Sequence, residues 1–176
     1  KITQYNGCNE NIFSITRVKT RVIYMSSIHL LIVDDRAPAR EGLRALISVI
    51  GKPHLDTGCP PIMVIGEACD GTQAMQMVEK LHPDVVLMDV RMPGLSGLDV
   101  TRLIKASWPG IGIVLMSFYG VHMTEALSVG ADSFLLKGCP PEDLLKAIQK
   151  AKEKSDAQDF PERVEKSSGG IRVRGA

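Results

Sequence analysis

The chain has 176 residues, 44% of them hydrophobic and 23% charged, with 21 basic and 20 acidic side chains and a net charge of +1. This composition fits one globular domain with flanking sequence, and excludes a disordered acidic protein or one that coats nucleic acid through bulk charge. The charge is uneven: residues 28–150 hold 11 basic against 14 acidic groups, a net of −3, and the two ends carry the positive excess.

Residues 1–27 show neither helical nor strand periodicity and read as a poorly ordered N-terminal extension. Met25, directly ahead of Ser26 and Ser27, offers a natural start, with residues 1–24 as upstream sequence. From Ile28 onward short apolar runs alternate with amphipathic stretches, the pattern of an α/β fold with a parallel sheet covered by helices. Five strands are predicted at His29–Val33, Ile62–Gly66, Asp84–Met88, Gly112–Met116 and Ser133–Leu136, each apolar enough to be buried on both faces. Helical patterns fall at Ala37–Ile50, Thr72–Leu81, Gly97–Ser107, Val121–Val129 and Pro141–Lys152.

The Pro/Gly-rich stretch Gly51–Pro61 is longer than an ordinary connection and reads as a surface loop or a contact site. Residues 153–176, with Ser-Ser-Gly-Gly at 167–170, read as a tail without an output domain. No apolar run approaches the roughly 20 residues that cross a bilayer. The first 27 residues also lack the apolar stretch of a secretory signal, so a cytoplasmic protein that touches no membrane is expected. Cys8, Cys59, Cys69 and Cys139 have no paired spacing and are expected to be reduced thiols. His29, His54, His82 and His122 show no metal-ligand spacing, and Met75 and Met77 fit core packing better than ligand binding.

In an open doubly wound sheet, ligands gather beyond the carboxyl ends of the strands. The polar residues at those ends are Asp34 and Asp35 after the first strand, Asp89 after the third, Ser117 after the fourth and Lys137 after the fifth. Each alone has a plain explanation as a helix cap, a turn residue or a surface charge. Together they bring three carboxylates, a hydroxyl and an ammonium to one rim.

The runs Leu31-Ile32-Val33-Asp34-Asp35, Val86 through Gly94 around Asp89, Ser117, and Gly130 through Lys137 are the carriers of a resemblance. Over about residues 28–152 the sequence resembles the CheY-like receiver domains of two-component response regulators. Arg40-Glu41-Gly42-Leu43-Arg44 and Pro141-Glu142-Asp143-Leu144-Leu145 are most similar to the NarL/FixJ subfamily. The resemblance implies a flavodoxin-like, doubly wound five-stranded parallel sheet in the order 2-1-3-4-5, with five helices.

It further implies a phosphorelay switch, not a turnover enzyme, in which Asp89 accepts a phosphoryl group from a phosphohistidine of a sensor histidine kinase or phosphotransfer protein and becomes 4-aspartylphosphate. Mg²⁺ would be held by Asp34, Asp35, Asp89 and the backbone carbonyl of Arg91, since hard oxygen donors suit that ion. Ser117 and Lys137 would bind phosphoryl oxygens. Ser117 and Phe134 would form the switch, altering the surface of residues 121–152 for a downstream protein. Arg91 and Tyr119, both bulky and two residues beyond Asp89 and Ser117, would slow dephosphorylation. A homodimer on phosphorylation is compatible with this reading, and direct nucleic-acid binding by this chain is not expected.

The sequence departs from many receivers in carrying Gly138, not proline, after Lys137. The Lys137–Gly138 bond is expected to be trans, because a cis non-proline bond costs about 2.5–4 kcal/mol. The paired Cys59-Pro60 and Cys139-Pro140 give only a faint haem signal, and no glycine-rich nucleotide motif occurs. One rival is the detached receiver of a helix-turn-helix DNA-binding regulator. Another, a dehalogenase-type phosphatase, wants a second Asp where Arg91 stands.

Overall fold

The computed structural model describes residues 27–52 and 60–159. Strands β1 (Ile28–Val33), β2 (Ile62–Ala68), β3 (Val85–Asp89), β4 (Gly112–Ser117) and β5 (Ser133–Leu136) form one parallel sheet in the order β2-β1-β3-β4-β5. Between and after them run α1 (Ala37–Ile50), α2 (Gly71–Leu81), α3 (Gly97–Ser107), α4 (Met123–Ser128) and α5 (Pro141–Asp159). This is the expected flavodoxin-like architecture.

The strand alternation builds two cores. Leu31 and Val33 of β1, Val86 and Met88 of β3, and Ile113 and Leu115 of β4 face one side, with Ala74 and Val78 of α2 and Val100 and Ile104 of α3. Leu30, Ile32, Val85, Leu87, Val114 and Met116 face the other side, with Ile47 of α1 and Leu144, Ile148 and Ala151 of α5. Apolar side chains on both faces identify β1, β3 and β4 as central strands, and removing that surface from water is the main driving force of folding. The expectation that every strand is buried on both sides fails at the margins. β2 and β5 are the sheet edges, and most of their residues are only half-buried.

Two helices differ from their predicted spans by more than one residue. The Val121–Val129 stretch divides into a 3₁₀ turn, Gly120–His122, followed by the six-residue α4. The last helix runs to Asp159 and not Lys152, because Ala151 and Ser155 continue its inward stripe at a spacing of four. The Ser155 hydroxyl donates to the carbonyl of Gly110, which ties the extension to the loop before β4.

Helix starts follow local chemistry. Asp70 caps α2, accepting from the Gln73 amide at 2.8 Å, and that hydrogen bond holds its carboxyl below the ordinary value. Ser96 caps α3 by accepting from the Asp99 amide at 3.2 Å, while its hydroxyl donates to the Asp99 carboxylate at 2.6 Å. Pro38 fits the first turn of α1, where a missing N–H costs nothing.

The ends of the Gly51–Pro61 loop meet, with the Ile62 amide donating to the Gly51 carbonyl at 2.8 Å. Its middle, with Cys59 and His54, lies outside the described residues, as do Cys8, the N-terminal extension and the tail beyond 159. Cys69 and Cys139 are free thiols. Met75 and Met77 pack against the first core, as expected. No helix among the described residues is long and apolar enough to cross a membrane.

Candidate functional site

The sheet delivers its polar residues to one rim. Asp34 directly follows β1 and is fully buried, Asp35 beside it is exposed, and Asp89 ends β3 with 7% of its surface accessible. One oxygen from each of these three carboxylates lies within 4.8 Å of the others. Asp89 is held in place from below by α3. A Cβ on Gly97 would come within 2.1 Å of the Asp89 carbonyl oxygen, so only glycine lets the helix start this close to the strand end.

Lys137 reaches in from the end of β5, and its ammonium donates to Asp34 Oδ2 and Asp89 Oδ2, both at 2.6 Å. Its position follows from strand pairing, since the Lys137 amide donates to the Ser117 carbonyl at 2.8 Å. One buried ammonium therefore serves two carboxylates, with a third close by. Three anions around one ammonium, with the Arg36 guanidinium no nearer than 3.9 Å to Asp34, leave negative charge that a further cation would relieve. The oxygen-only donor set matches a hard divalent ion such as Mg²⁺.

Ser117 is 1% exposed, and its Oγ accepts from the Tyr119 amide at 3.1 Å. No hydrogen bond donated by this hydroxyl is found among the described residues, so its proton is available to an incoming oxygen. The Arg91 amide donates to Asp89 Oδ1 at 3.3 Å, and the Arg91 guanidinium stacks over the Tyr119 ring at 5.5 Å. Arg91 and Tyr119 therefore meet each other, and Arg91 helps to line, with Asp35, His122 and Glu125, a cavity of about 490 Å³.

Phe134 is not brought to the carboxylates. It is half-buried on β5 opposite Leu115 and packs against the first core. No peptide bond is cis among the described residues, and Gly138 adopts φ +87°, a conformation closed to proline. The glycine at this position is thus part of how the chain turns from β5 into α5.

Three neighbours of the site have no role in the motif-based reading, although Arg40 stands in the run Arg40-Glu41-Gly42-Leu43-Arg44. The Arg40 guanidinium donates to the Asp34 carbonyl at 2.7 Å and pairs with Glu67 at 3.4 Å, bracing the β1–α1 turn. Arg36 and Phe118 stack on each other at 5.2 Å beside Lys137. The available signal was adjacency: Arg36 follows the acidic pair and Phe118 follows Ser117.

Residues 30–149 match the family described as the response regulator receiver domain. The nitrate/nitrite response regulator protein NarL of Escherichia coli K12 is 39% identical over 124 residues, which is 69% of this chain and 53% of that protein. The transcriptional regulatory protein LnrK of Bacillus subtilis is 34% identical over 123 residues, 69% of this chain and 52% of its own length. The chain thus spans about half the length of the curated relatives it matches. Among solved structures, the signal receiver domain of a NarL response regulator from Mycobacterium tuberculosis aligns with a TM-score of 0.63 at 29% identity, covering 72% of this chain and 97% of that one. The response regulator domain of Thermotoga maritima CheB aligns with a TM-score of 0.62 at 29% identity, with the same coverage. With its motifs, strand order and rim of carboxylates all in agreement, the chain belongs to the response regulator receiver domain family.

Proposed function

We propose that Asp89 is the phosphoacceptor of this receiver, taking a phosphoryl group from a phosphohistidine of a sensor kinase or phosphotransfer protein. An Asp89 carboxylate oxygen bonds to phosphorus as the P–N bond breaks, and the imidazole leaves with its electron pair. The observation that carries this reading is the one ammonium of Lys137 set 2.6 Å from both Asp34 and Asp89. It is already poised to follow charge from carboxylate to phosphoryl oxygen.

Asp34, Asp35 and Asp89 would hold Mg²⁺, with the Arg91 carbonyl as a further ligand. The ion would supply neutralisation of the negative charge between carboxylate and phosphoryl group. Ser117 donates its unused proton to a phosphoryl oxygen. Its movement, with rearrangement of Phe134, changes the surface of residues 121–152 that a downstream protein reads. The chain's only chemistry on this reading is its own phosphorylation and dephosphorylation, and Arg91 stacked on Tyr119 restricts water from the phosphorylated carboxylate.

Intact-mass spectrometry after incubation with acetyl phosphate and Mg²⁺ tests the proposal. One phosphoryl adduct is expected on the native chain and none on Asp89→Asn or in EDTA. An adduct that survives Asp89→Asn would overturn the assignment. A second reading, that this receiver is the input half of a DNA-binding regulator, is favoured by the half-length match to proteins named as transcriptional regulators. A helix-turn-helix reading frame directly downstream of residue 176 in the gene would support it.

A further inference from the structure

Phe118 is 60% exposed, so burial does not account for an aromatic ring at this position. The ring instead has two cations against it. The Arg36 guanidinium lies 5.2 Å from its centroid and the Lys137 ammonium 5.3 Å, both within cation–π reach. Arg36 has a second attraction: its Nε is 3.9 Å from Asp34 Oδ1, at the outer limit of an ion pair. Asp34 Oδ2 is taken by Lys137, so Oδ1 is the oxygen of this carboxylate that the ammonium leaves free. The Arg36 backbone amide already donates to Oδ1 at 2.9 Å, which fixes the residue beside it. Arg36 therefore stands between two partners, an aromatic ring and a fully buried carboxylate in the acidic pocket.

We infer that Phe118 and Arg36 set the divalent-cation affinity of the acidic pocket, the ring acting as a holder that keeps the Arg36 guanidinium off Asp34 Oδ1. A guanidinium that closed from 3.9 Å to hydrogen-bond distance would set a competing positive charge on a carboxylate that would also serve the metal. In the position it occupies the guanidinium touches the aromatic face while standing at the outer limit of the ion pair, so the ring contact opposes its closer approach. Arg36 is thus a built-in competitor of the metal, and Phe118 is a positioning residue that acts through Arg36. The inference rests on the reading that Asp34, Asp35 and Asp89 hold Mg²⁺.

The test is a Mg²⁺ titration of the whole chain without phosphodonor, followed by the amide NMR shifts of residues 34, 89 and 91. Native protein is compared with Phe118→Ala, Phe118→Leu, Arg36→Ala, the double variant Phe118→Ala with Arg36→Ala, and Asp34→Asn. Both positions are largely exposed, and circular dichroism checks that each variant is folded. Phe118→Ala and Phe118→Leu are expected to weaken Mg²⁺ binding by roughly threefold to tenfold, since leucine keeps bulk but loses the π face. Arg36→Ala is expected to tighten binding, and the double variant to bind as Arg36→Ala does. Unchanged affinity in Arg36→Ala, or a Phe118→Ala loss that persists without Arg36, would overturn the inference while leaving the metal site standing. Native protein that shows no Mg²⁺ response, or one equal to that of Asp34→Asn, would instead remove the metal reading itself.

Discussion

The two ends of the sheet use the same residue types to opposite effect. At the amino end, Asp132 is 7% exposed and accepts from Lys105 Nζ and from the Ile113 amide, each at 2.8 Å. Lys105 spends a second donor on the Ile111 carbonyl at 2.7 Å. Nearby, Asp84 takes Lys152 at 2.8 Å and the His29 amide at 2.7 Å. Lys105 spends its other donor on backbone and Lys152 its other donor on Asp156 of its own helix, so these contacts lock α3 and α5 onto the strands. At the carboxyl end, three carboxylates share one ammonium with the Arg36 guanidinium 3.9 Å away, and the hydroxyl beside them keeps an unused proton. A closed pair holds structure, whereas on the proposed function the anionic cluster is the part that takes a ligand. Burial alone does not separate the two, since Asp89 and Asp132 are equally inaccessible.

The sharpest way to break this comparison is to exchange a carboxylate at each end. Asp89→Asn is expected to abolish the phosphoryl adduct completely, while thermal stability stays within about 1 kcal/mol of native or rises, because an unbalanced charge is removed. Asp132→Ala is expected to do the reverse. It should cost about 3 kcal/mol in denaturant unfolding, by stranding Lys105 and the Ile113 amide, and still yield an adduct on the folded fraction. A large stability loss in Asp89→Asn would show that the two ends are not functionally distinct.

A smaller effect is expected at the rim. Arg91→Ala combined with Tyr119→Ala should speed loss of the phosphoryl group several-fold, read as decay of the mass adduct after the donor is removed. An unchanged rate would mean that the stacked pair does not shield Asp89.

The smallest effect belongs to pH. Burial works against the Lys152 charge, but hydrogen bonds to Asp156 and Asp84 outweigh it and hold its pKa above the ordinary lysine value. A raised folded-state value means that its contribution is complete below the unfolded lysine value of about 10.4 and is lost as pH rises through the folded one. The melting temperatures of native protein and Lys152→Met should therefore differ at pH 8 and draw together as pH rises beyond the ordinary lysine value. A gap that persists at alkaline pH would assign the effect to packing of the Lys152 stem.

Much of this protein was legible in its amino-acid order. Apolar runs with turn signals between them located all five strands, because the central β1, β3 and β4 are buried on both faces and the edge strands β2 and β5 still keep short apolar runs. The five polar residues at their ends were visible as a set, because parallel connections return every carboxyl end to the same rim. Other features required the folded chain. The edge positions of β2 and β5 depend on strand order, not on their own composition. The extension of α5 past Lys152 depends on the Gly110 carbonyl, distant in sequence, receiving Ser155. The contacts of Phe118 with Arg36 and Lys137 join three different loops and have no local pattern. Periodicity and strand ends are properties of neighbouring residues, so sequence alone determined the fold and the candidate rim. Which charges are closed into pairs and which stand open depends on distances between residues far apart in the chain, and only the tertiary structure decided that.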